Sequence, residues 1–172
     1  MKKEAIYHYY VEGDDEKSVL DALKRDLGCV KSGKVDKFNV VQNRFTIARI
    51  RPLKSGTIVV LIYDTDVSKN MEIIKYNVDF LRRQKGIKDV ICVPQVKNLE
   101  DELVNACNIK SVEEITKSAS KKEYKSDINN CSNLGARLNK CHFDISKFWS
   151  KIPQNEFHEF GNDAEKIKNY NK

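Results

Sequence analysis

The sequence predicts an α/β protein built on a mostly parallel four-stranded sheet flanked by helices, with a helical C-terminal extension. Three observations carry this. The run Val59-Val60-Leu61-Ile62-Tyr63 is apolar without alternation, the pattern of a strand covered on both faces, as in parallel sheets. Short β-rich runs alternate with segments whose apolar residues recur every three or four positions, the order of strand–helix–strand units joined by right-handed crossovers. Two strand-like runs end in acid, Glu12-Gly13 and Asp64-Thr65-Asp66, where open α/β sheets present their ligand sites.

Ala5 to Val11 is β-rich and forms the first strand. The following Gly13 makes a turn, Asp14 is the expected N-cap, and Asp15 and Glu16 suit the positive end of a helix. Val19, Leu20, Leu23 and Leu27 give that helix its apolar face, and Gly28 stops it. Lys37 to Val41 is expected to be the second strand, and Arg44 to Leu53 to carry a short helix interrupted at Pro52. Lys54-Ser55-Gly56 turns the chain into the strand ending at Asp64. Ser68 then serves as N-cap for a helix marked by Met71, Ile74, Val78 and Leu81 and closed by Gly86. Asp89 to Pro94 is the fourth strand, and Asn98 caps a helix over 99–107.

On that last helix, Leu99, Leu103, Val104 and Cys107 form an apolar side into which Glu100 falls, while Asp101 and Glu102 are expected to point away. A carboxylate in an apolar stripe is costly unless it is paired or bound to a cation, so Glu100 stands out. A salt bridge is the plain structural alternative. Ser111-Val112-Glu113-Glu114 fits a capping box. A basic polar segment over 117–125 follows, then apolar residues from Leu134 to Trp149 that pack the extension on the core; residues 157–172 are expected to fray. The division is a core over 1–110 and an extension over 111–172.

Composition narrows the function classes. With 33% charged and 40% hydrophobic residues the chain reads as globular, and no run approaches the ~18–20 apolar residues of a membrane span. Its start lacks a signal-peptide core. Five widely spaced cysteines without a C-x-x-C pair argue against a disulfide framework or zinc ribbon and suit a reducing cytoplasm. Of the net charge of +6, +4 falls from Lys117 onward, which favours a polyanionic partner such as DNA or RNA as much as a solvated lysine-rich surface.

The acids define the candidate chemistry. Glu12, Asp64, Asp66 and Glu100 all follow strands whose carboxyl ends share one edge, so they can converge. Like charges ~4 Å apart repel by roughly 1 kcal/mol even in bulk water, and a cation would relieve that. Oxygen-only ligands suit Mg²⁺ or Mn²⁺. Such ions polarise phosphoryl oxygens and activate water for phosphodiester cleavage, and Lys121, Lys122 and Lys125 are the candidate phosphate contacts. The three histidines are assigned no role.

In these residues the chain resembles a Toprim domain, the Rossmann-like catalytic module shared by topoisomerases, bacterial-type primases and OLD-family nucleases. Val11-Glu12-Gly13 is similar to that family's strand-ending glutamate and glycine, and the strand with Asp64-Thr65-Asp66 to its D-x-D. Leu99-Glu100 resembles the helix glutamate of small stand-alone OLD- and RloB-like nucleases. The resemblance spans roughly residues 5–107. It implies metal binding or acid/base work for Glu12 and Mg²⁺ binding by Asp64 and Asp66, in a nuclease of the kind found in phage-defence and repair systems. Strand-passage domains and the ATPase half of OLD proteins are missing from this sequence, so nucleotide control would need a partner protein such as an ATPase. Two alternatives use the same residues. One is a non-catalytic module that binds nucleic acid or a protein. The other is a haloacid-dehalogenase-type phosphatase, whose D-x-D start Asp64-Thr65-Asp66-Val67-Ser68 resembles; that family has the motif on its first strand, whereas here a strand, a helix and a strand precede it.

Overall fold

Both faces of the strands are apolar, which obliges helices to cover the sheet from two sides. Tyr9, Val11, Val60, Ile62, Ile91 and Val93 belong to one buried cluster; Tyr10, Val59, Leu61, Tyr63, Val90 and Cys92 belong to the other. The computed structural model describes residues 5–66 and 71–170. Its strands are β1 (Ile6–Val11), β2 (Gly33–Lys37), β3 (Thr57–Asp64) and β4 (Ile87–Gln95), in the order β2-β1-β3-β4, every neighbouring pair parallel. The helices are α1 (Asp14–Arg25), α2 (Ile47–Ile50), α3 (Met71–Arg82), α4 (Leu99–Ala106), α5 (Glu113–Thr116), α6 (Lys121–Asn129) and α7 (Leu134–Lys140), with 3-10 turns at Glu156–Phe160 and Ala164–Lys166. The expected α/β class with a four-stranded parallel sheet is therefore observed. Among the described residues no helix is long and apolar enough to cross a membrane, and all five cysteines are free.

Local chemistry explains most boundaries, and it corrects several expectations. The second strand is 33–37 rather than 37–41. Gly33 is what the pairing requires, because a Cβ there would lie 2.5 Å from the Tyr7 carbonyl oxygen. The polar sequence Gly-Lys-Val-Asp-Lys suits an edge strand, which is protected from mispairing by its charges. The N-cap of α1 is Gly13, not Asp14: the Glu16 carboxylate turns back to accept from the Gly13 amide at 2.9 Å. Asn98 caps α4 as expected, accepting from the Asp101 amide at 3.0 Å. Helix α3 ends at Arg82, before Gly86, which lies in the turn to β4. The Ser68 cap lies outside the described residues.

The tail does not fray through residue 170. Phe157, Ala164 and Ile167 are buried, and Val30 bridges Lys168 in antiparallel fashion. On α4 Asp101 is exposed as expected, but Glu102 is not. Glu102 is only 1% exposed, and its carboxylate accepts from the amides of Val96 and Trp149 at 2.8 and 2.9 Å. The helical projection missed this because one donor that makes its burial tolerable, the Trp149 amide, comes from the extension, while the other, the Val96 amide, comes from the loop after β4.

On the opposite face, the segment between β2 and α2 hangs on one side chain. Asn77 of α3, 0% exposed, donates to the carbonyls of Val40 and Asn43 and accepts from the Phe45 amide at 2.7 Å. Removing it strands three buried backbone groups. We expect Asn77→Ala to lose about 2–4 kcal/mol in urea unfolding, and Asn43→Ala, whose side chain is exposed, less than about 0.5 kcal/mol. Equal losses would show that the segment is not held this way.

Candidate active site at the carboxyl edge of the sheet

β1 delivers Glu12 one residue beyond its end, β3 ends on Asp64, and α4 begins with Leu99-Glu100 after the loop from β4. In the sheet register Asp64 pairs with Gln95. The Gln95 amide nitrogen donates to Asp64 Oδ1 at 2.7 Å, while its Oε1 accepts from Trp149 Nε1 at 3.3 Å. An indole N–H can only donate, so Trp149 fixes which end of the Gln95 amide faces Asp64. Between the two aspartates, Thr65 is buried. Its hydroxyl donates to the Gln95 carbonyl at 2.9 Å and its amide to the Lys97 carbonyl at 3.0 Å. Asp66 is exposed beyond this anchored residue.

The acids feel one another. Burial pushes Asp64 up to about 7, and the charges of Glu12, Asp66 and Glu100 push the same way against the Gln95 hydrogen bond. Burial raises Glu12 as well, followed by the charges of Asp66 and Asp15; the Asn39 amide, donating to Glu12 Oε1 at 2.7 Å, and the Lys125 ammonium oppose it. Glu100, its side chain 14% exposed, has Lys125 Nζ at 3.7 Å. The salt bridge that the sequence allowed for Glu100 is thus present, inside the acid cluster rather than apart from it. Among the described residues no three His, Cys, Asp or Glu side chains converge closely enough, as placed, to hold a metal ion.

Of the three lysines, Lys125 enters the cluster. Lys121 lies one turn earlier on the same side of α6, exposed, and Lys122 is turned ~100° away. Neither pairs with a carboxylate among the described residues.

Four participants escaped the sequence reading. Glu16 is buried, and its carboxyl is raised by burial first, then by Asp15 and by the charge of Asp64. Asn39 and Gln95 carried no signal beyond position next to a strand end. Tyr124 of α6 is 0% exposed with its hydroxyl unpartnered, in the field of Glu100, Asp15 and Glu16. Its burial as an i, i+4 partner of Ile128 was readable, its neighbours were not.

No family model matches the chain, and neither a curated protein nor a solved structure matches it. The chemistry therefore rests on the site itself.

The raised Asp64 has a stability signature. A carboxyl that holds its proton more tightly when folded lowers native stability as pH rises from its unfolded value of about 4 to the folded value of about 7, with no further change above. In EDTA, Asp64→Asn should therefore be more stable than the parent at pH 8, by at most about 4 kcal/mol, and the gap should close toward pH 4. Urea midpoints across that range measure it; a gap independent of pH would show that Asp64 is not perturbed in this way.

Proposed function

We propose that the chain is a Toprim-like, metal-dependent phosphodiesterase that cleaves DNA or RNA at the carboxyl edge of its sheet. The observation that carries this reading is the electrostatic convergence of Glu12, Asp64, Asp66 and Glu100 from three separate elements. An all-oxygen donor set fits a hard cation, Mg²⁺ or Mn²⁺, and these four residues would hold it if their side chains, which as placed do not converge closely enough for three to share an ion, closed on it. Such an ion would polarise a phosphoryl oxygen and lower the pKa of water.

The remaining work falls to the chain. Gln95 and Asn39 orient Asp64 and Glu12, each taking one carboxylate oxygen and leaving the other. Glu12, its carboxyl raised by burial and then by the neighbouring acids, is the proposed proton-exchanging group, through the oxygen that Asn39 does not engage. Lys125 offsets charge at Glu100, and with Lys121 and Lys122 offers phosphate contacts along α6.

A non-catalytic binding module is favoured by one observation, that Lys125 already neutralises part of the acid cluster. Incubation with plasmid, single-stranded DNA and RNA separates the two readings. Cleavage with Mg²⁺ or Mn²⁺ should be abolished by EDTA and fall to background in Asp64→Ala. In Gln95→Ala, whose partner only orients Asp64, it should drop about 10–100-fold. Cleavage surviving EDTA or Asp64→Ala sinks the metal mechanism, and binding without cleavage of any substrate supports the module.

A further inference from the structure

The amino end of the sheet holds a second, unrelated feature: a cavity of about 900 Å³. Its floor is the β1–β2 pair at His8, Tyr10, Lys34 and Asp36, and its wall is Arg49 of α2 with Pro52, Leu53 and Lys54 of the segment that follows. Lys31 and Tyr7 border the other end. His8 lies four residues before Glu12 on an extended strand, so the cavity is roughly 13 Å from the acid edge. We infer that this cavity binds a nucleoside phosphate.

Charge supports the anionic part. Among the described residues, Lys31, Lys34, Arg49 and Lys54 line the cavity against one carboxylate, Asp36, and Asp36 is already engaged by His8 Nε2 at 2.9 Å and Lys34 Nζ at 3.4 Å. Among the described residues Arg49, Lys54 and Lys31 have no carboxylate partner. The Arg49 guanidinium instead lies 4.4 Å from the Phe38 ring centroid, and the Lys31 ammonium donates to the Lys166 carbonyl at 2.6 Å. The guanidinium is a planar fork matched to phosphate oxygens, and stacking on Phe38 holds its stem without consuming that fork.

Shape and polarity support the rest. Ligand sites typically occupy ~300–1,000 Å³, mostly apolar with a few placed polar groups. Here Ile6, Pro52 and Leu53 supply apolar wall, and His8 and Tyr10 a tilted aromatic pair with centroids 4.8 Å apart. The Tyr10 hydroxyl makes no hydrogen bond among the described residues, although the residue is only 1% exposed, and it is not sealed from the cavity. Inorganic phosphate would fill little of this volume; a base and sugar account for the apolar half.

Titration with AMP, adenosine and inorganic phosphate, monitored by melting temperature and calorimetry in EDTA, tests the proposal on the full chain. EDTA keeps any metal-dependent binding at the acid edge out of the readout. AMP at ten times its dissociation constant should raise the melting temperature by about 3–6 °C, with adenosine and phosphate each much weaker. Arg49→Gln and Lys54→Gln change exposed side chains, and each should weaken AMP at least about tenfold, while Asp64→Asn leaves it unchanged. The proposal is overturned if AMP produces no shift, if phosphate binds as tightly as AMP, or if AMP binding is lost in Asp64→Asn but survives both cavity variants.

Discussion

Four carboxylates gathered at one end of a parallel sheet repel one another, and much of the structure around that edge offsets the repulsion. The sheet leaves little choice. With β1 and β3 parallel and adjacent, the residues that end them come out side by side, and the loop from β4 brings the start of α4 to the same place. The offsets are of three kinds. Neutral amides donate to Glu12 and Asp64, an ammonium from α6 approaches Glu100, and protons stay on buried carboxyls above their ordinary range.

The extension over 111–172 is part of this arrangement: Asn39 and Gln95, which hold Glu12 and Asp64, belong to the core, but the extension fixes Gln95 and pairs with Glu100. Trp149 sits at positive φ, 51°, a conformation unfavourable for a bulky residue, and its amide is fixed by Glu102 while its indole fixes Gln95. Asn155 donates to the Thr65 carbonyl at 2.8 Å, so the turn between Asp64 and Asp66 is also tied to the tail. Lys125 and Tyr124 arrive on α6, which packs on α1. A core trimmed before residue 111 would keep its four acids and Gln95 but lose Trp149, which fixes the Gln95 amide, and Lys125, which pairs with Glu100.

What was legible in the sequence was whatever depends on local pattern. Strand β3 announced itself because burial on both faces makes the run from Ile58 to Ile62 apolar without alternation, and Asn98 because an N-cap needs a particular side chain at a particular place. The failures share another cause. Lys37 to Val41 looks more strand-like than Gly33 to Lys37, but pairing with β1 depends on close approach at Gly33, a tertiary fact. Glu102 reads as surface because its two donors lie 6 and 47 residues away. Glu12, Asp64, Asp66 and Glu100 could be picked out singly because acids at strand ends are conspicuous. Asn39, Gln95 and Glu16 could not, since a polar residue that orients another looks like any other polar residue until the contact is seen.

The same reasoning distinguishes what the offsets can do. Amides from Gln95 and Asn39 carry no net charge, so they direct carboxylate oxygens without removing the repulsion. Lys125 removes one unit of charge but rides on an exposed side chain at 3.7 Å, where an ion pair is worth ~1 kcal/mol or less. That leaves protonation to absorb most of the remainder, which is why burial and mutual charge raise Asp64 and Glu12 together. On the function proposed above, a cation arriving at Asp64 would displace a proton held up to about neutral pH rather than break a strong ion pair. The weak ion pair at Glu100 and the proton that Asp64 keeps up to about neutral pH are thus two parts of one arrangement, and both depend on the tail that brings Lys125 and Trp149 to the sheet edge.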